Sequence, residues 1–136
     1  MACLDTTFLL DLLGRGGRAV QNRALGMIRE LGSLDEHLTT TMINLAELHV
    51  GVNRALEPEA ERRRIDRVLR GVSVLPFDRR AAAMFGVVKA ELGRIGKPAG
   101  DMDVLIAAVA IVNGHTILTR NARHFSRIPG LTVISY

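Results

Sequence analysis

Hydrophobic and polar positions alternate along this chain with two different periods. Short runs of strand length, MACL (1–4), LTTT (38–41), VSVL (72–75), TILT (116–119) and LTVIS (131–135), are separated by longer stretches in which apolar residues recur every three or four positions. The longer stretches predict helices over 7–13, 18–32, 43–56, 59–71, 78–95 and 103–113. In the second of these, Val20, Ala24, Met27, Ile28 and Leu31 fall on one face. Gly14, Gly16 and Gly17 break the first helix from the second, and Gly96, Pro98 and Gly100 form the loop before the last. Strands that alternate with helices predict an α/β fold: a three-layer α/β/α sandwich with helices on both faces of a mostly parallel sheet. No internal repeat, low-complexity tract or linker interrupts the pattern, so residues 1–136 are expected to form one domain.

Composition fits that expectation, since 48% apolar and 24% charged residues are enough for a core and a solvated surface. No stretch approaches the roughly eighteen apolar residues of a membrane span, and the start lacks a basic segment followed by a long apolar one. A cytoplasmic protein without membrane contact is therefore expected. The only cysteine, Cys3, lies inside the first apolar run and reads as a small hydrophobe. Charge adds one thing: a net +4 and a pI near 10.2 point to a polyanionic partner. Much of the excess sits in EAERRRIDRVLR (59–70), which reads either as a solvated helix face or as an RNA footprint.

Three acidic residues stand where a scaffold has least use for them. Asp5 ends the first strand, and a carboxylate there carries a desolvation cost unless a cation or hydrogen bonds compensate. Glu47 lies in TTTMINLAELHVG, where the helical period puts it on the apolar side with Ile43 and Val50. Asp103 opens DVLIAAVA on the face of Ile106, Ala107 and Ala110, toward the sheet. Taken singly, each has a structural explanation. Asp5 can cap the following helix through the Thr6, Thr7 and Phe8 amides, Glu47 can pair with a buried arginine, and Asp103 can complement a helix dipole, with Asp101 as that helix's N-cap. Together they share one sheet edge, where three carboxylates repel unless a divalent cation neutralises them. Strand ends of open parallel sheets are also where ligands bind. Oxygen donors without a His or Cys cluster favour Mg²⁺, or Mn²⁺, over zinc. His37, His49 and His115 read as structural or exposed, and only His124 lies near the proposed site.

The opening DTTFLLDLL, the mid-chain AEL with its following Gly, the segment GKPAGDMDVLIAAVA and the closing TILTRNARHFSRIPGLTVI together resemble a PIN domain of the VapC toxin type. The resemblance runs from about residue 3 to the last residue. It implies a Mg²⁺-dependent endoribonuclease, the toxin of a type II toxin-antitoxin system, which hydrolyses RNA phosphodiester bonds and is neutralised by a small VapB-type antitoxin. It also implies a homodimer. Carried over by position, Asp5 matches the first acid, Thr6 its hydroxyl partner, Glu47 the second acid and Asp103 the third. The pattern departs at the fourth, where TRNARHF supplies Asn121 and then His124 in place of a frequent aspartate. Asn121 offers a carbonyl, or a hydrogen bond to a metal-bound water, but no charge. That leaves open whether one or two ions bind. Asp101 is an extra carboxylate that either compensates for the missing charge or caps its helix.

In that arrangement Asp5 and Asp103, with Glu47 directly or through water, hold the Mg²⁺ that polarises the scissile phosphate and activates a water. Thr6 orients a carboxylate, a neighbouring carboxylate takes the proton, and Arg120 either contacts a phosphate or is an ordinary surface arginine. A phosphoacceptor receiver and a D-x-D phosphotransferase fit poorly, because the first strand is followed by Asp-Thr-Thr. The second reading is a catalytically weak PIN-like module that binds RNA or a partner protein, kept open by Asn121. Leu25, Ile28, Leu45 and Leu48 read as core residues or as part of a dimer face or antitoxin groove.

Overall fold

A computed structural model describes residues 1–136. The elements follow in the order β1 (Ala2–Leu4), α1 (Thr6–Leu12), α2 (Arg18–Ser33), β2 (Leu38–Thr41), α3 (Met42–Arg54), α4 (Pro58–Val68), β3 (Ser73–Leu75), α5 (Arg79–Arg94), α6 (Asp101–Val112), β4 (Thr116–Leu118), α7 (Ala122–Phe125) and β5 (Val133–Ile134). The five strands form one sheet in the order β3-β2-β1-β4-β5, and every neighbouring pair is parallel. The chain thus builds outward from β1 to β3, then crosses back through α5 and α6 to lay β4 on the other side of β1. The order reverses between β1 and β4, the place where open parallel sheets leave a crevice beyond their carboxyl ends.

Helices cover both faces, so the central strands are apolar on both sides. Along β1, Cys3 enters a core with Val88 and Leu92 of α5 and Val104, Ile106, Ala107 and Ala110 of α6, whereas Leu4 enters a second core with Phe8, Leu9, Ala24, Leu48 and Val52. Ile117 and Leu118 of β4 divide in the same way. The alternation is the strand period of two, read on a sheet buried on both sides. Cys3 is fully buried, and burial pushes its thiol up to about 12. The second neighbour of β1 is polar. Thr39, Thr40 and Thr41 of β2 are buried, and their hydroxyls are satisfied: Thr39 donates to the Ala2 carbonyl (3.0 Å) and Thr40 to the Leu4 carbonyl (2.7 Å). No helix is long and apolar enough to cross a membrane.

Three local readings are corrected. The helix α3 buries Asn44, Leu48 and Val52, one position round from the face read through Ile43, Glu47 and Val50; Val50 is 49% exposed and Glu47 lies at the margin. The helix α6 begins at Asp101 with Gly100 as its N-cap, so Asp101 is not a cap; its side chain turns to Lys89 of α5 at 2.9 Å. The charged run of α4 is not wholly solvated. Glu61 is buried and holds Arg15 and Arg64, which keep its carboxyl below its ordinary pKa. The one-turn α7 is an addition, too short to leave a periodic signal.

Candidate active site

Asp5 leaves β1 and caps α1, with its backbone extended (φ −74°, ψ 162°) and its side chain accepting from the Thr7 amide at 3.4 Å. Capping uses little of the carboxylate. The same oxygen, Oδ2, accepts from the hydroxyls of Thr7 (2.9 Å) and Thr119 (2.8 Å), and Oδ1 accepts from Asn44 Nδ2 (3.2 Å). Thr119 directly follows β4, and Asn44 lies in the first turn of the helix that follows β2. Donors from three adjacent strand ends therefore aim one buried carboxylate, which is 5% exposed, at the crevice.

Asn44 is itself held in place. Its carbonyl accepts from the Thr41 amide (3.2 Å) and hydroxyl (2.7 Å), and its own amide NH reaches Thr41 Oγ1, a reciprocal cap at the start of α3. Its Nδ2 also donates to Thr6 Oγ1 at 3.0 Å, and the Thr6 hydroxyl donates onward to Glu47 Oε1 at 2.7 Å. A single chain of hydrogen bonds thus orients two acids on different elements. Glu47 has no arginine partner. Burial raises its pKa above the ordinary value, the Thr6 hydrogen bond opposes this, and the charges of Asp5 and Asp103 add to the rise.

Asp103 sits in the first turn of α6 and faces the same crevice, half-buried. Burial also pushes its pKa up, His124 opposes that from 3.4 Å, and the charge of Asp5 adds to it. The charge of Asp5 thus bears on both Glu47 and Asp103, as like charges around one site do. All donors are hard oxygens, which suits a hard divalent cation. No three His, Cys, Asp or Glu side chains converge closely enough to enclose an ion by themselves. The donor chemistry suits such an ion, while the three carboxylates alone do not form a closed ligand set.

The other expected residues fall differently. Asn121 begins α7 with its amide NH on Thr119 Oγ1 (2.9 Å), and its exposed side chain takes no partner in the chain. Asp101, 74% exposed and paired with Lys89, stands outside the hydrogen-bonded group. Arg120 is not a free surface arginine: its Nε and Nη2 grip the fully buried Asp11 at 3.0 and 3.2 Å, and its backbone NH donates to Thr7 Oγ1. Tyr136 shares Asp11, donating to Oδ2 at 2.5 Å while its ring packs edge-on against Phe8 at 4.7 Å. Leu48 and Ile28 pack in the second core, whereas Leu25 is exposed. Asn44, Thr7 and Thr119 are the residues that reading the sequence missed. The T-x-x-N spacing of Thr41 and Asn44 was the available signal for the first.

The family model of the PIN domain matches residues 2–131. A tRNA(fMet)-specific endonuclease VapC of Salmonella typhimurium is 36% identical over 107 residues, spanning 78% of this chain and 81% of that protein. A ribonuclease VapC2 of Haemophilus influenzae is 30% identical over 128 residues, 94% of this chain and 92% of that one. Among solved structures, VapBC2 from Rickettsia felis bound to a DNA fragment from their promoter is similar with a TM-score of 0.87 at 25% identity, over 99% of this chain and 98% of that chain.

Proposed function

The chain belongs to the PIN-domain family as a toxin ribonuclease of the VapC type, and from that premise we propose that it cleaves RNA phosphodiester bonds where Asp5, Glu47 and Asp103 meet. The observation that carries this reading is geometric: one chain of hydrogen bonds runs from Asp5 through Asn44 and Thr6 to Glu47 at the switch point of the sheet, with Asp103 in the first turn of α6 beside it. Nucleases of this family are metal-dependent. We take the ion to be Mg²⁺, with Mn²⁺ as a substitute, held by Asp5 and Asp103 and by Glu47 directly or through water; bound there, it supplies charge for the scissile phosphate and a more acidic water. Asp101 is left out of this ligand set because Lys89 engages it.

The chain's own residues supply the rest. Asn44, Thr7 and Thr119 fix Asp5, so little reorganisation is needed when charge develops on the phosphate. Thr6 fixes Oε1 of Glu47 and leaves Oε2 free to accept the proton of the attacking water. Asn121 presents an unpartnered amide beside Thr119, able to hydrogen-bond a water at the site without adding charge. The catalytically weak alternative rests on that neutral fourth position alone, and the cleavage assay below decides it.

Structures of relatives hold the toxin in VapBC complexes, and we propose the same partnership here: a VapB-type antitoxin covering this edge of a homodimeric, cytoplasmic toxin whose fold is one domain over residues 1–136. The test is cleavage of total RNA by purified protein with Mg²⁺, with Mn²⁺ and with chelator, alongside Asp5→Asn protein. Discrete products that need metal and vanish in the variant are expected. Undiminished cleavage by the variant would refute the site.

A further inference from the structure

Beside the acids lies a cleft of about 310 Å³ lined by Arg120, Asn121, Arg123, His124 and Arg127, without one apolar or acidic residue. Three of its side chains are held from behind. Arg120 is gripped by Asp11 through Nε and Nη2, leaving Nη1 without a partner; Arg127 donates to the Pro98 carbonyl at 3.3 Å; His124 leans on Asp103 at 3.4 Å. The Arg123 guanidinium has no partner in the chain and is exposed. Arg123 and Arg127 have no acidic partner, and such unneutralised guanidinium groups form a surface for phosphate oxygens rather than for an apolar ligand. The cleft also adjoins the reacting edge. The Asn121 amide shares Thr119 Oγ1 with Asp5, and His124 touches Asp103. A fourth acid at position 124 would have put negative charge inside this cleft, and His124 puts none there.

We infer that this cleft is a subsite for backbone phosphates of the RNA strand flanking the bond to be cut, with Arg123 and Arg127 as its principal contacts and Arg120 as its fixed floor. The inference rests on the ribonuclease reading of the adjacent carboxylates. It explains how a site rich in carboxylates tolerates a polyanion: the repulsion at the acids is offset a few residues away by Arg123 and Arg127, neither of which has an acidic partner.

The test is binding of a short fluorescein-labelled single-stranded RNA of mixed sequence, followed by anisotropy in chelator across a salt series. Wild type is compared with the Arg123→Gln/Arg127→Gln double variant and with Arg29→Gln, exposed on α2, after circular dichroism has confirmed that all are folded. The double variant is expected to bind several-fold more weakly, with a slope of log Kd against log salt shallower by roughly 1.4, the value for two contacts to a single strand. Arg29→Gln should bind as wild type. In the cleavage assay the double variant should raise KM with kcat at saturating RNA retained. An unchanged affinity and slope in the double variant overturns the subsite, as does an equal loss in Arg29→Gln. Cleft-dependent binding of poly-glutamate with RNA binding indifferent to both substitutions would make it a protein site and overturn it too. Binding without chelator-sensitive cleavage in wild type would instead remove the nuclease reading, so the two failures are separable.

Discussion

At Glu47 stability and chemistry pull in opposite directions. Burial and the charges of Asp5 and Asp103 disfavour its ionised form in the folded chain. Its folded pKa is raised, so the folded state binds the proton more tightly than the unfolded one, and the penalty is present above the raised value and gone below the ordinary one. Glu47→Gln keeps an oxygen for Thr6 and removes the charge. In chelator at neutral pH it is expected to melt a few degrees higher than wild type, with a flatter loss of stability as pH rises out of the carboxylate range, and to cut no RNA. A lower melting temperature by calorimetry would mean that the carboxylate stabilises the fold after all. Asn44→Ala should act the other way: it strips a donor from Asp5 and Thr6 and leaves Thr41 without its acceptor. A loss of about 1–3 kcal/mol is expected in urea unfolding, together with a lower kcat. Asp5, Glu47 and Asp103 stand out in the sequence because a charge on an apolar face is rare, although the buried face of α3 lies one position round from the one that singled out Glu47. Asn44 was not, since a polar residue near a helix start has many ordinary uses and its three partners, Asp5, Thr6 and Thr41, come from two separate segments.

Among the elements, the alternation of strands and helices was legible throughout because parallel pairing demands it, and the observed boundaries fall within a few residues of those expected. The rotation of α3 was not, because its buried face includes Asn44, a polar residue that no hydrophobic period selects. The tie between α1 and the end of β4 was also hidden. Asp11, 109 residues from Arg120 and 125 from Tyr136, is fully buried between them. Gly16, in the turn after α1, packs so closely that an added Cβ would collide with Asp11 Oδ1. Gly16→Ala must therefore displace a carboxylate that two partners hold. It is expected to lower stability by about 1–3 kcal/mol, read as a shift in urea midpoint. It should also reduce cleavage, because Arg120 supports Thr7, which supports Asp5. Full stability in Gly16→Ala would show that the loop relaxes at no penalty to this cluster.

For the molecule as a whole, an ion that binds only the folded chain must stabilise it. Adding Mg²⁺ to chelator-treated protein is expected to raise the melting temperature with the logarithm of its concentration, a stabilisation of about 2.7 kcal/mol at a hundred times Kd, and Asp5→Asn should abolish the rise. The same linkage can be followed through Cys3. That thiol is sealed at the centre of the sheet, two residues before Asp5. A thiol-specific reagent reaches it only when β1 parts from its neighbours, so the labelling rate times the opening of the strand that carries the first acid. Whatever clamps that edge, an ion, an RNA strand or an antitoxin, should slow the reaction. The native protein thus carries its own occupancy gauge, readable by mass spectrometry without any introduced label.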